Sequence, residues 1–228
     1  MGRDRADARA VPRPDRGGAG VTVILVRHGQ SRGNLRGIIQ GWLDEPLTED
    51  GEAQARLVAA RLASMPVSTV YASPLARAWS TGEAVAAALG LPLVAEPGMR
   101  EHYFGAAQGF TWGEATERWG LRAGHGEDWA AGVPDAEPML DFRRRVGAAL
   151  DALLDRHEQE VVVCVSHGGT IAQAVAHVLG LPEAISPAIR VDNTSLTIVE
   201  GTAARPMLRA LNDACHVGEA RSVVSRAF

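Results

Sequence analysis

The chain has 228 residues, of which 46% are hydrophobic and 22% are charged, and this composition is that of an ordinary globular domain. Its formal net charge of -4 at pH 7 gives no reason to expect nucleic acid or an acidic membrane as a partner, because both favour basic surfaces. All 23 basic residues are arginine, which excludes enzymes that need a Schiff-base lysine, a P-loop lysine or a lysine general base.

The two cysteines, Cys164 and Cys215, are too few for a disulfide framework or a four-cysteine zinc site. No apolar stretch approaches the roughly 20 residues that a membrane-spanning helix needs. Residues 1–20 mix arginine, aspartate, proline and glycine without the apolar core of a secretory signal. We therefore expect a disordered N-terminal tail over residues 1–20, a cytoplasmic location, and small molecules rather than nucleic acid or a membrane as partners.

The first half of the remaining sequence alternates between strand and helix patterns. The β-branched apolar run from Val21 to Arg27 predicts a buried strand, and a glycine-rich loop follows to about Leu47. Thr48 is a suitable N-cap for a helix whose apolar residues recur at helical spacing. The run STVYAS predicts a second strand, the segment from Pro74 to Gly90 predicts a second helix, and LPLVAE predicts a third strand.

The second half begins with residues 101–137, whose weak periodicity predicts an irregular excursion with one short helix near Trp112–Trp119. From Pro138 onward the apolar positions share one helix face, and we expect Arg143–Arg145 to lie largely in solvent. The run EVVVCVS predicts a buried strand, and HGGTIAQAVAHVLGL predicts a loop followed by a helix. NTSLTIVE and PMLRALN predict two closing strands that pair antiparallel, since only a short turn joins them.

The alternation of strands and helices predicts an α/β fold. We expect a single-domain three-layer sandwich over residues 21–212, with a mostly parallel central sheet flanked by helices. A C-terminal tail is expected over residues 213–228. The sequence shows no internal repeat and no second domain.

Several chemically active residues follow predicted strands, and in open α/β sheets ligands bind beyond the carboxyl ends of the strands. Each of these residues alone has an ordinary structural explanation, such as an exposed arginine or a packed histidine. Together they bring two arginines, two histidines and one carboxylate to one rim, which predicts a site for an anionic ligand. These residues are Arg27 and His28, Ser73 and Arg77, Glu101, and His167 with Gly168 and Gly169.

The segment RHGQSRGN, residues 27–34, resembles the R-H-G-x-[ST]-x-x-N signature of the histidine phosphatase superfamily, also called the phosphoglycerate mutase-like family. Four further segments match in the family's order: QGWLDEPLTEDGEAQA, YASPLARAWSTGEAV, REHYFGAAQG and VSHGGTI. The resemblance covers roughly residues 21–212 and implies a phosphoglycerate mutase-like fold. Five ordered motifs are far more specific than the tripeptide RHG alone.

The resemblance implies that His28 is the nucleophile and is transiently phosphorylated, and that Glu101 protonates the leaving group. The other groups would bind the phosphate or lie along the substrate: Arg27, Asn34, Gln40, Gly41, Arg77, His167 and Gly168. No metal ion and no organic cofactor is implied. The chemistry is consistent, because a neutral imidazole is nucleophilic near pH 7 and arginine binds two phosphate oxygens at once. With a protonated His167, two arginines could replace a magnesium ion.

Departures from the mutase pattern favour a phosphatase. Mutases of this family usually carry HGN where this chain has HGG, a tyrosine near the position of Phe104, and a lysine with an arginine pair after the glutamate. Here the excursion holds only Arg118 and Arg122, separately placed. We therefore expect a metal-independent phosphomonoesterase for a small phosphorylated metabolite, with a cofactor-dependent phosphoglycerate mutase as the alternative. A catalytically silent binding module is disfavoured, because every essential group of the family is present.

The remaining histidines and tryptophans are weaker candidates. His102 adjoins Glu101 and could contact substrate. The other histidines show no ligand spacing and are expected on the surface or in packing: His125, His157, His177 and His216. The tryptophans of the excursion could either cover the pocket or pack in a core: Trp112, Trp119 and Trp129. The identity of the metabolite and the oligomeric state, including a homodimer, stay open.

Overall fold

Six strands form the central sheet, and each follows one of the apolar runs of the sequence. They are β1 (Val21–Arg27), β2 (Val67–Ala72), β3 (Leu93–Ala95), β4 (Val161–Ser166), β5 (Leu196–Thr202) and β6 (Arg205–Asp213). The strands lie in the order β3-β2-β4-β1-β5-β6. All pairs among β1 to β4 are parallel, whereas β5 is antiparallel to both β1 and β6. The mostly parallel sheet and the antiparallel closing pair are therefore confirmed.

The computed structural model describes residues 20–121, 130–183, 185 and 188–222. Nearly all of the expected N-terminal tail lies outside these residues. So do Arg122, His125 and Trp129, on which the sequence analysis also placed expectations.

Helices cover both faces of the sheet: α1 (Arg32–Arg36), α2 (Glu49–Leu62), α3 (Ala76–Leu89), α4 (Trp112–Trp119), α5 (Met139–Arg156) and α6 (Gly168–Val178). Successive side chains of β1 point to opposite faces. Val23 and Leu25 belong to the hydrophobic cluster formed with α5 and α6. Ile24 and Val26 belong to the cluster formed with α2 and α3. The helix, sheet and helix layers of the predicted sandwich are thus confirmed.

Local capping explains where the helices begin and end. The Thr48 hydroxyl accepts a hydrogen bond from the Gly51 amide at 3.0 Å, as an N-cap does. Gly90 ends α3 with φ of 66°, a left-handed conformation that glycine adopts without strain. Pro74 precedes α3 instead of opening it, because the N-cap is Leu75. The expected loop before Thr48 contains the short helix α1, which Ser31 caps by accepting from the Asn34 amide.

The excursion over residues 101–137 contains α4 at the predicted position and has a hydrophobic cluster of its own. That cluster includes Ile39, Phe104, Ala115 and Leu121, and Trp112 and Trp119 pack against it. Thr111 and Glu114 form a capping box at the start of α4. The irregular segment is therefore anchored by its own packing.

The expectation that Arg143–Arg145 lie in solvent is wrong for two of the three residues. Arg143 is buried and donates to the backbone carbonyls of residues 176, 181, 182 and 185, which lie at or just after the end of α6. Arg145 is only partly exposed and forms an ion pair with Glu137. Arg144 alone lies in solvent, paired with an exposed Glu183. The guanidinium groups of Arg143 and Arg145 satisfy backbone carbonyls that helical periodicity does not reveal.

The segment from residue 213, expected as a C-terminal tail, begins at the last residue of β6. Asp213 forms an ion pair with Arg61 of α2, and Cys215–Ser222 continues as 3₁₀ turns. Within the described residues, no helix has the length and apolar character that crossing a membrane requires.

Candidate active site

Hydrogen bonds from two directions hold the backbone at the end of β1. The His28 amide donates to the Ser166 carbonyl at the end of β4, at 2.9 Å. On the other side, the Asn193 side chain donates to the His28 carbonyl at 2.8 Å. Thr194 adopts a left-handed φ of 58° and its amide donates to the Arg27 carbonyl at 2.9 Å. The position of the His28 imidazole is therefore fixed by the segments on both sides of β1.

The ring of His28 has a defined tautomer. Its Nδ1 lies 2.6 Å from the carbonyl oxygen of Gly29, so Nδ1 carries the proton and donates. Nε2 is then the nitrogen with a lone pair, and Arg77 Nε donates to it at 3.2 Å. Burial, together with the charges of Arg77 and Arg27, holds the pKa of His28 well below its usual 6.5. The imidazole is therefore neutral at pH 7, with Nε2 available as a nucleophile.

Two buried arginines flank this imidazole. Arg77 is 1% exposed and also donates to the carbonyls of Leu43 and Gly41, at 2.9 and 2.7 Å. Burial lowers the pKa of Arg77 to about 10, so the group stays charged at pH 7. Arg27 is buried as well and donates through Nη1 to the Val191 carbonyl. Its Nε has no hydrogen-bond partner among the described residues. Two positive charges thus lie beside the His28 imidazole.

His167 contacts His28 but does not line the cavity. Its ring lies edge-on to that of His28, with centroids 5.2 Å apart, and its Nε2 lies 2.8 Å from the Ser73 hydroxyl. Burial and the nearby charges, Arg77 first, hold the pKa of His167 well below 6.5. The expected protonated His167 is therefore wrong for this structure, in which the positive charge of the site comes from Arg27 and Arg77.

Glu101 lies at the N-terminus of α6. Its carboxylate accepts from the amides of His102 and Gly169, at 2.9 and 3.1 Å, and from the Thr170 hydroxyl at 3.4 Å. A Cβ atom on Gly169 would come within 2.5 Å of Glu101 Oε1, so only glycine allows this approach. The Gly169 amide therefore holds the carboxylate of Glu101, and Gly168 is the glycine that lies beside Arg27.

The side-chain amides of two predicted site residues, Asn34 and Gln40, both form hydrogen bonds with Ser31. The Asn34 Oδ1 accepts from the Ser31 amide at 3.1 Å, and the Gln40 Oε1 accepts from the Ser31 hydroxyl at 2.7 Å. With both oxygens engaged, the NH₂ groups of Asn34 and Gln40 are the parts suited to donate to a ligand. Gly41 has a left-handed φ of 50°, and a Cβ there would meet Gln108 Oε1 at 2.2 Å.

These elements surround a cavity of about 120 Å³. Since one water molecule needs roughly 10–15 Å³ of such space, the cavity is of ligand size and is not a packing defect. Eight of the nine predicted site residues line it, and His167 is the exception: Arg27, His28, Asn34, Gln40, Gly41, Arg77, Glu101 and Gly168. His102 and Trp112 line the cavity too, whereas Trp119 packs against Phe110. The structure therefore brings the predicted residues together at one place.

Other residues of the site were missed by sequence reasoning. Asn193, which holds the His28 backbone, stands in the run NTS before β5 without any distinguishing pattern. The apolar residues Met139, Phe142 and Ile189 line the cavity, and their periodicity indicated only core packing. Three of the weaker histidine candidates make structural contacts away from the cavity: His157 with Tyr71, His177 with Asp151 and His216 with Arg61.

Comparison with known proteins identifies the family of this chain. Residues 23–214 match the histidine phosphatase superfamily (branch 1). The chain is 35% identical over 181 residues to a Yersinia pestis (strain Pestoides F) protein named "Probable phosphoglycerate mutase GpmB", covering 78% of this chain and 84% of that one.

Solved structures of phosphatases are also similar. The phosphoserine phosphatase of Entamoeba histolytica, in complex with 3-phosphoglyceric acid, superposes with a TM-score of 0.75 at 28% identity over 86% of this chain and 99% of that one. A mycobacterial glucosyl-3-phosphoglycerate phosphatase complexed with VO3 gives a TM-score of 0.72 at 28% identity, over 85% and 99% of the two chains. The match over residues 23–214 and these similarities show that the chain belongs to the histidine phosphatase superfamily and is an enzyme of that superfamily.

Proposed function

We propose that this enzyme is a metal-independent phosphomonoesterase that hydrolyses a small phosphorylated metabolite through a phosphohistidine intermediate on His28. One observation carries the proposal: His28 presents the lone pair of Nε2 between two buried arginines, in a cavity that also contains Glu101. A nucleophile, cationic groups for the phosphoryl oxygens and a proton donor are the parts that phosphoryl transfer needs.

In the first step, His28 Nε2 attacks the phosphorus atom and the bond from phosphorus to the ester oxygen breaks. Arg77 Nε, which donates to Nε2 in the structure, turns to an oxygen of the phosphoryl group as the new bond forms. Glu101 gives its proton to the departing alkoxide. A unit-charge pair at 4 Å is worth about 4 kcal/mol at an effective dielectric near 20, so Arg27 and Arg77 can neutralise the oxygens of the transition state.

In the second step, the Glu101 carboxylate takes a proton from a water molecule, and the resulting oxygen attacks the phosphohistidine. The bond from phosphorus to Nε2 breaks, inorganic phosphate leaves, and His28 returns to its neutral form. Because Gly29 keeps the proton on Nδ1 throughout, no proton has to leave the nucleophile before it attacks.

A phosphoglycerate mutase is the second candidate, because the Yersinia pestis relative carries that name. A mutase must also bind the second anionic group of its substrate. Within the part of the chain that the structure describes, Arg27 and Arg77 are the only arginines that line the cavity. Arg118 of the excursion is exposed, with its guanidinium 4.9 Å from the Trp119 ring. This distribution of charge supports hydrolysis of a phosphomonoester over isomerisation of phosphoglycerate.

The direct test is release of phosphate from p-nitrophenyl phosphate in the presence of EDTA, followed by mass spectrometry of enzyme quenched in alkaline denaturant, because phosphohistidine is lost in acid. We expect turnover and a phosphorylated peptide that contains His28. The variant His28→Ala should lose kcat by a factor on the order of 10³ or more. His177→Ala is the control, since that histidine contacts Asp151 outside the cavity.

Near-normal turnover by His28→Ala would refute the assigned nucleophile. Conversion of 3-phosphoglycerate to 2-phosphoglycerate that is faster than phosphate release, and stimulated by the 2,3-bisphosphate, would assign the protein to the mutases.

A further inference from the structure

The cavity beyond His28 has walls that the proposed chemistry does not use. They are mostly apolar, and they come from the loop after α1, the excursion, α5, α6 and the segment before β5. The residues are Ile38, Ile39, Phe104, Trp112, Met139, Phe142, Ala172, Ile189 and Val191. Phosphate binding alone would not need such a surface.

This apolar wall is preformed, because two separate hydrophobic clusters contribute to it. Phe142 and Val191 belong to the cluster between the sheet and α5, where Met139 also packs. Phe104 belongs to the cluster of the excursion, and its ring centroid lies 5.7 Å from that of Trp112. The cavity therefore lies where two cores meet, and its apolar side chains are held by packing on their far sides.

The charged groups of the cavity lie together near the nucleophile. Among the described residues that line it, the charged side chains are Arg27, Arg77 and Glu101. His102 also lines the cavity, but its Nε2 lies 2.6 Å from the Glu137 carbonyl and is directed at that backbone. A substrate with a second carboxylate or phosphate would find no further arginine among the described residues of these walls, and it would face Glu101.

We propose that the enzyme selects phosphomonoesters whose ester group is a short aliphatic or aromatic group without a second anionic group. The phosphate binds between Arg27 and Arg77, and the ester group lies against the apolar wall. This inference rests on the proposed phosphatase function and adds the chemical class of the substrate to it.

A homologous series of n-alkyl phosphates, from ethyl to hexyl, tests the proposal. The leaving alcohols differ little in acidity, so the series varies burial while the chemistry stays constant. Burial of each methylene group is expected to raise kcat/KM about fourfold until the apolar wall is covered. A flat series, or faster turnover of 3-phosphoglycerate than of butyl phosphate, would overturn the proposal.

Substitution of a wall residue tests whether the selectivity comes from this surface. Met139 is half-buried at the start of α5, and Met139→Gln should reduce the gain per methylene, whereas Met139→Leu should retain it. Met207→Gln is the matched control, because Met207 is 57% exposed on β6 and does not line the cavity. An unchanged gain per methylene in Met139→Gln would refute the role of the wall.

Failure of this inference is distinct from failure of the proposed function. Release of phosphate from every ester at similar rates leaves the phosphatase assignment intact and refutes only the apolar selectivity. Absence of release from all esters, including p-nitrophenyl phosphate, refutes both.

Discussion

Arg145 provides a sharp test of how Glu101 is positioned. Its guanidinium forms a bidentate ion pair with Glu137, with contacts of 2.9 and 2.8 Å. It also donates to three backbone carbonyls in the segment that leads to Glu101: Gly98 and Arg100 at 2.9 Å and Glu101 at 3.3 Å. The side chains of Arg145 and Glu137 are only 21% and 16% exposed. One guanidinium thus holds the chain that presents the proposed acid.

The substitution Arg145→Gln removes the positive charge and most of these donors. Hydrogen bonds to a charged group are worth about 1.5–3 kcal/mol each, but water can replace part of them at a site that is partly exposed. We expect the free energy of unfolding, measured with urea, to fall by about 2–3 kcal/mol. The control is Arg144→Gln, whose ion pair with Glu183 is exposed and is expected to contribute less than about 1 kcal/mol.

Activity separates a positioning role from a purely structural one. If Glu101 is displaced, kcat/KM for butyl phosphate should fall about 10- to 100-fold. Turnover of p-nitrophenyl phosphate should fall less, because p-nitrophenolate leaves without protonation. Equal losses on the two substrates, or an Arg145→Gln protein as stable as Arg144→Gln, would refute the reasoning.

Three further predictions concern the same site. Glu101→Gln should reduce turnover of butyl phosphate far more than that of p-nitrophenyl phosphate, and equal losses would argue against a leaving-group acid. Gly169→Ala should reduce kcat for alkyl phosphates, since its Cβ would lie 2.5 Å from Glu101 Oε1, whereas Gly113→Ala has open space and should not. The lowered pKa values of His28 and His167 mean that the unfolded chain binds more protons below about pH 6.5. Stability in urea should therefore fall as the pH is lowered from about 6.5, and His28→Asn should weaken that pH dependence.

The sequence predicts the sheet well because its strands are short, β-branched and bounded by turn residues. The run VVVCVS in β4 is buried on both faces and could be recognised from composition alone. Because ligands of open α/β sheets bind beyond the carboxyl ends of the strands, Arg27, His28, Arg77 and Glu101 were expected at one edge. The structure brings all four to one cavity. These predictions needed only the order of the elements and the parallel pairing.

The incorrect predictions concern interactions whose partners are distant in sequence. Arg143 lies beside the apolar face of α5 and Arg145 at its edge, but helical spacing does not show that both donate to carbonyls 33 to 47 residues away. The protonation of His167 likewise depends on full burial next to Arg77, which its position before two glycines does not show. In both cases the missing information is which loop packs over which side chain.

The contacts around the end of β1 also determine when the protein can first act during its synthesis. Asn193 and Ser195 hold the backbone at Arg27 and His28 from more than 160 positions further along the chain, and β4, which supplies Ser166, is separated from β1 by most of the sequence. A growing polypeptide that ends before these segments contains His28 but lacks the backbone contacts that hold it on both sides of β1. The proposed reaction at His28 therefore requires the chain through Ser195, and chains truncated before Asn193 should have no hydrolytic activity.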